Sequence, residues 1–191
     1  MSAQLHAVRA RAMTKRKADA LIVRSFLFTL IIIAVIFMKL FIKRDRTVDG
    51  ALFAVFDELG ENKYYVKSTK NHIVLCDLKG KTLLKIKRIL LPALRTYTLV
   101  SSERTIRFLI NPKKSYCWFY GMSWHIRGDF FEKSFDVMEA DNSVASTFAR
   151  RFNDDGYELI INCEHNEFLC IGVAVCACLE AKVDNLVMQT V

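Results

Sequence analysis

The residues of this 191-residue chain that could do chemistry are few and dispersed. Cys163-Glu-His165 sets a thiol two positions from an imidazole, which would suit a metal-ligand pair or a nucleophile with its base. Zinc sites draw on two such ligand pairs spaced by two to four residues, and a single Cys-x-His is present. A structural Cys at a strand end beside an exposed His is the better reading. His72 and His125 fall in separate segments without an acidic neighbour. Asp154-Asp155, with Asp136, Glu139 and Asp141, are carboxylates of the kind calcium takes, yet turn and surface duty accounts for them. Gly128 and Gly156 are isolated and form no phosphate loop. The expectation is therefore a non-enzymatic protein with no metal set and no cofactor.

Charge is the next candidate for function. The formal net charge is +8, but residues 1–46 hold ten Lys/Arg against Asp19 and Asp45, and residues 47–191 balance to zero. The excess belongs to the amino terminus, which argues against nucleic acid as a partner. The body is polarised along its length. Residues 63–114 carry thirteen Lys/Arg against Asp77 and Glu103, whereas 115–191 carry five against twelve acidic residues. Neighbouring strands would turn this into a basic and an acidic side, unless the charges mix when the sheet curls. Lys79, Lys81, Lys85, Lys87 and Arg88 are the best candidates for anionic lipid headgroups. The aromatic cluster Tyr116-Cys-Trp-Phe-Tyr120 with Trp124 reads as core ahead of an interfacial belt.

These groups need a scaffold, and its most informative element is the last. Phe168–Leu179 is twelve residues without a polar side chain on any face. As a helix it measures about 18 Å, short of the ~30 Å hydrocarbon core, so it must be enclosed by protein. Ile171, Gly172, Val173, Val175 and Leu179 form this plug, with Gly172 letting strands approach. The rest of the body reads as about eleven strands between Ala51 and Cys163, punctuated by turns such as Lys79-Gly80, Asn111-Pro112 and Asp141-Asn142. The expected fold is mainly β, a closed antiparallel barrel of about twelve strands around the hydrophobic helix. Six cysteines, three of them inside the apolar run, read as free thiols in a reducing compartment rather than a disulfide framework.

Three regions are expected: a basic tail over 1–24, a transmembrane anchor over 25–43 and the barrel over 47–191. Phe26 to Met38 is apolar but for Thr29, flanked by Arg/Lys on both sides, and no small-x-small cleavage site follows. A single-pass membrane location follows, with an interfacial helix as the alternative. The flanking charges put the amino terminus inside and the thiols put the body inside, so the side is undetermined.

Ser123-Trp-His-Ile-Arg-Gly-Asp-Phe-Phe131, Phe135-Asp-Val137, the Val144–Phe152 strand and Ile171-Gly-Val-Ala-Val-Cys-Ala-Cys-Leu179-Glu-Ala resemble the tubby C-terminal-like superfamily, and within it the LURP-one-related proteins. The resemblance covers about residues 63–184. It implies a twelve-stranded barrel threaded by a hydrophobic carboxyl-terminal helix. Tubby proteins bind phosphoinositides through basic residues and the related phospholipid scramblases are lipid-associated, but no phosphoinositide-binding position matches this sequence residue by residue. The implied function is a membrane-anchored, non-catalytic module contacting anionic lipid or a partner protein. The alternative is a scramblase-like protein or a lipid enzyme.

Overall fold

Two-residue alternation along the body becomes twelve antiparallel strands and one enclosed helix in the computed structural model, which describes residues 37–45, 50–91, 94–114, 116–151, 156–162 and 164–180. The strands are β1 (Met38–Arg44), β2 (Ala51–Phe56), β3 (Asn62–Ser68), β4 (Ile73–Asp77), β5 (Thr82–Leu90), β6 (Arg95–Ser101), β7 (Thr105–Asn111), β8 (Tyr116–Tyr120), β9 (His125–Asp129), β10 (Ser134–Met138), β11 (Val144–Arg150) and β12 (Gly156–Ile161), and α1 (Glu167–Glu180) follows. The chain divides between Phe37 and Met38, and every strand belongs to the second unit.

The sheet order is β8-β7-β6-β5-β4-β3-β2-β1-β12-β11-β10-β9, an up-and-down meander in which β1 bridges to β12. Inward residues form one core with the helix: Leu40 and Ile42 from β1, Leu84 and Ile86 from β5, Tyr97 and Leu99 from β6, Phe108 from β7 and Phe148 from β11. Ile171, Gly172, Val173 and Val175 are buried as expected, whereas Leu179 is half-buried at the helix end. A Cβ on Gly172 would stand 2.5 Å from Leu84 Cδ2 and 2.6 Å from Leu99 Cδ2, so glycine is what lets β5 and β6 close on the helix.

Two expectations are corrected. The anchor over 25–43 gives up its last six residues, and the barrel begins at Met38 rather than 47. Leu40 and Ile42 face the core while Lys39, Phe41 and Lys43 face outward, a two-residue period that no helix can satisfy. The portion of the anchor before Phe37 and the basic tail lie outside the described residues. Among the described residues no helix is long and apolar enough to cross a membrane.

The barrel is also not fully laddered. β8 pairs with β7 alone and β9 with β10 alone, leaving a seam between their free edges. Gly128 holds β9 against β10 at φ 102°, where a Cβ would come within 2.6 Å of the Ser134 carbonyl oxygen. Rings seal the seam from inside. Phe119 stacks on Phe108 at 4.5 Å and meets Trp124 edge-on at 5.8 Å, while Phe130 bridges Phe108 and Phe135 at 5.2 and 5.0 Å.

Candidate functional site

Alternation sorts the expected lipid-contacting residues onto different surfaces. Lys85 and Lys87 project from the outer face of β5. Arg88, one position on, points inward with Leu84 and Ile86 and is removed from the candidate set. Lys79 and Lys81 are exposed in the β4–β5 turn, whose backbone N–H groups at both positions donate to Asp77 Oδ1 at 2.9 and 2.8 Å. The cluster that is adjacent in sequence is therefore three separate groups in space.

A different set assembles around Lys85 and Lys87. Cross-strand register lines up Lys87, Thr98 of β6, Arg107 of β7 and Tyr120 of β8 in one row. The next row toward the β5–β6 connection is Ile89, Thr96, Leu109 and Trp118. Tyr116, opposite Asn111, stands one row further on along β8, with its ring 5.1 Å from that of Trp118. Tyr116 and Tyr120 are more than half exposed, at 58% and 56%, and Ile89 is 45% exposed. The aromatic run read as core thus splits by parity. Tyr116, Trp118 and Tyr120 face outward, and Phe119 and Trp124 fill the interior. Cys117 also faces inward, where burial first and the Asp129 carboxylate second push its thiol up to about 12.

Within strands β3 to β8 the one acidic residue is Asp77, spent on its own turn. Lys63, Lys67, Lys85, Lys87 and Arg107 all face outward on those strands. Lys63 pairs with Asp57 at 3.2 Å and Lys67 lies 5.9 Å from the Tyr65 ring. Among the described residues, Lys85, Lys87 and Arg107 have no carboxylate partner. The opposite wall differs: Arg127 binds Asp136 at 2.7 Å and Lys39 binds Glu158 at 3.0 Å. The outer wall of β3–β8 is thus a basic side on which Lys63 is paired and Lys85, Lys87 and Arg107 have no carboxylate partner among the described residues.

The remaining candidates stay apart. His72, His125 and His165 are exposed in different parts of the chain, and Cys163, Asp154 and Asp155 lie outside the described residues. Asp136 accepts from Arg127 and, at 2.7 Å, from the Thr147 hydroxyl. Asp141 closes its turn on Ser143, whose hydroxyl and N–H hold the carboxyl below its usual range. Among the described residues no three His, Cys, Asp or Glu side chains gather where a metal could sit. A cleft of about 420 Å³ over β1 and the β2–β3 turn is lined by Lys43 and Arg151 but also by Asp57 and Glu58, so it carries no single charge.

Sequence reasoning missed one cluster. Glu180, at the end of α1, has a side chain with 0% exposure. Its carboxylate takes Arg88 Nη2 at 3.3 Å and is bound by the Arg95 guanidinium and the Tyr97 hydroxyl. Burial holds the Tyr97 phenol above its usual range despite the pull of Arg88 and Arg95. At the other end of α1, Tyr64 donates to Glu167 at 2.7 Å. Both ends of the plug are thus tied to the wall.

Comparison with known proteins places these observations. A family model described as LURP-one-related matches residues 38–180, the span from β1 to the last residue of α1. An X-ray structure of an Arabidopsis thaliana protein is similar at 17% identity and a TM-score of 0.45, covering 72% of this chain and 88% of that one. No curated protein matches the chain.

Proposed function

The chain belongs to the LURP-one-related family, and on that footing we propose that it is a non-catalytic barrel module whose β3–β8 wall docks on an anionic lipid surface. The supporting observation is the wall itself, with Lys85, Lys87 and Arg107 outward and unpaired among the described residues, and Asp77 the sole acid of six strands. A basic residue near a lipid surface contributes about 1 kcal/mol, so these three together are worth about a hundredfold in affinity. The attraction fades beyond a Debye length of ~10 Å at 0.1 M salt.

With β1 given to the barrel, Phe26–Phe37 retains twelve residues. A helix of that length covers about 18 Å, which suits the membrane interface better than a ~30 Å crossing. Carbonate washing then releases the protein from membranes, and retention through the wash would restore the single-pass anchor.

Vesicle sedimentation tests the docking reading. The full chain should pellet with phosphatidylserine-containing vesicles, less so as salt rises, and weakly with phosphatidylcholine alone. Replacing Lys85, Lys87 and Arg107 together by Gln should cut that binding by roughly two orders of magnitude. Equal binding by the triple variant would refute it.

A further inference from the structure

We infer that the aromatic–aliphatic patch beside the basic row, Ile89, Leu109 and Trp118 with Tyr116 one row beyond them, is a membrane-inserting edge that tilts the carboxyl-terminal end of α1 toward the bilayer. The inference rests on the docking reading and deepens it, by naming which part of the wall leaves water and which stays at the phosphates.

Register carries the argument. Ile89, Thr96, Leu109 and Trp118 occupy one cross-strand row, in which Thr96 is the one polar side chain, and Lys87, Thr98 and Arg107 occupy the row two residues away on the same face. Two residues along a strand span about 7 Å, and four strands side by side span about 14 Å. A bilayer's headgroup layer is about 5–7 Å deep on each side. One row can thus lie at the phosphates while its neighbour reaches the acyl boundary. The chemistry of each row fits its depth. Ammonium, hydroxyl and guanidinium groups stand at Lys87, Thr98 and Arg107, and indole and phenol rings, which favour the boundary of membrane and water, stand at Trp118 and Tyr116.

Topology sets the tilt. The apolar row lies nearer the β5–β6 connection, the end at which Glu180 of α1 meets Arg88 and Arg95. The turns at the opposite end hold Asp57, Glu58, Glu61, Glu103, Glu139 and Asp141 against Lys79, Lys81 and Arg104, so an anionic surface repels that end. Charge complementarity and the adjoining basic row favour lipid as the occupant over an apolar protein surface.

The two tryptophans permit a direct test. Trp124 is buried with an indole N–H that lacks a partner, so Trp124→Phe removes an unsatisfied donor and leaves Trp118 as the reporter. The full chain carrying this change is mixed with phosphatidylserine/phosphatidylcholine vesicles whose acyl chains are brominated. Trp118 emission should shift to shorter wavelength and be quenched. Leu109→Glu in the same background should abolish the quenching while the protein still pellets. If the Trp124 variant does not fold, wild-type quenching that disappears in Trp118→Phe reads the same event. Pelleting with unquenched, unshifted Trp118 would overturn the insertion and leave electrostatic docking standing. Absence of pelleting would overturn both.

Discussion

At the scale of single residues, Glu180 shows how a charge can be held inside an apolar barrel. A carboxylate at a helix carboxyl terminus opposes the helix dipole, and its desolvation costs several kcal/mol unless it is paired. Arg88 and Arg95 approach it from β5 and β6, and Tyr97 adds a hydroxyl. Both arginines keep contact with water, at 25% and 17% side-chain exposure, so they bring charge inward at lower cost than the carboxylate does. Glu180→Gln should lower the urea midpoint by an amount worth about 3 kcal/mol, the low end for breaking a buried pair. A loss below about 1 kcal/mol would mean that the network is solvated. A second residue-scale effect is pH dependence. Burial, with Glu167 beside it, keeps the Tyr64 phenol protonated beyond its usual value of 10, and burial does the same for Tyr97. Below pH 10 both contribute their full stability. As pH rises past 10 the unfolded chain loses protons that the folded one retains, and stability falls. Denaturation midpoints at stepped alkaline pH, read against phenolate absorbance, check the sign. None of this was legible beforehand: in sequence Glu180 is one acid after an apolar run, and only the fold supplies its partners.

At the scale of elements, parity decided most of what could be read early. Eleven strands follow from alternation and turn residues alone, because one face had to be apolar and the other solvated. β1 carries the same pattern in Met-Lys-Leu-Phe-Ile-Lys-Arg, but the thirteen-residue run up to Met38, apolar but for Thr29, masked it. A window wide enough to find a membrane segment averages over a two-residue period. Parity also separates Arg88 from Lys87 and Trp118 from Phe119, and grouping by closeness in sequence merged them. The helix was legible from composition, since a segment apolar on every side has to be enclosed. Its packing sets two expectations for thermal or urea unfolding. Gly172→Leu should cost about 1–3 kcal/mol by overpacking against Leu84 and Leu99. Val173→Asp, at a residue with 0% exposure, places a carboxylate where no cation was built to meet it. It should cost several kcal/mol of a total stability of about 5–15. Cys170, Cys176 and Cys178 share that interior, and burial raises the Cys176 and Cys178 thiols well above their usual range. Peptide-mapped alkylation should leave these three unmodified until the protein unfolds.

At the scale of the molecule, the question is what keeps a twelve-strand sheet curled when β8 and β9 do not pair. Ladder bonds join eleven strand pairs, and among the described residues none joins β8 to β9, where the ring contacts of Phe119 with Trp124 and of Phe108 with Phe130 lie. The curl therefore depends on what fills the inside. α1 supplies apolar surface to strands on several sides at once and is tied at Glu167 to β3 and at Glu180 to β5 and β6. Without it, inward residues such as Leu84, Leu99, Phe108 and Leu159 would face a water-filled lumen, and burying apolar area at about 25 cal/mol per Å² is what offsets the ordering of the strands. The sheet would then open at the seam and expose two unpaired edges, a template for aggregation. A chain ending at residue 167 should accordingly be insoluble, or soluble only as aggregates that scatter light and bind apolar dyes. A second membrane contact by the same segment makes the opposite forecast, since removing a peripheral helix leaves a folded barrel. Monomeric protein with a single cooperative urea transition, after deletion of residues 168–191, would refute the helix as the filling that holds this barrel together.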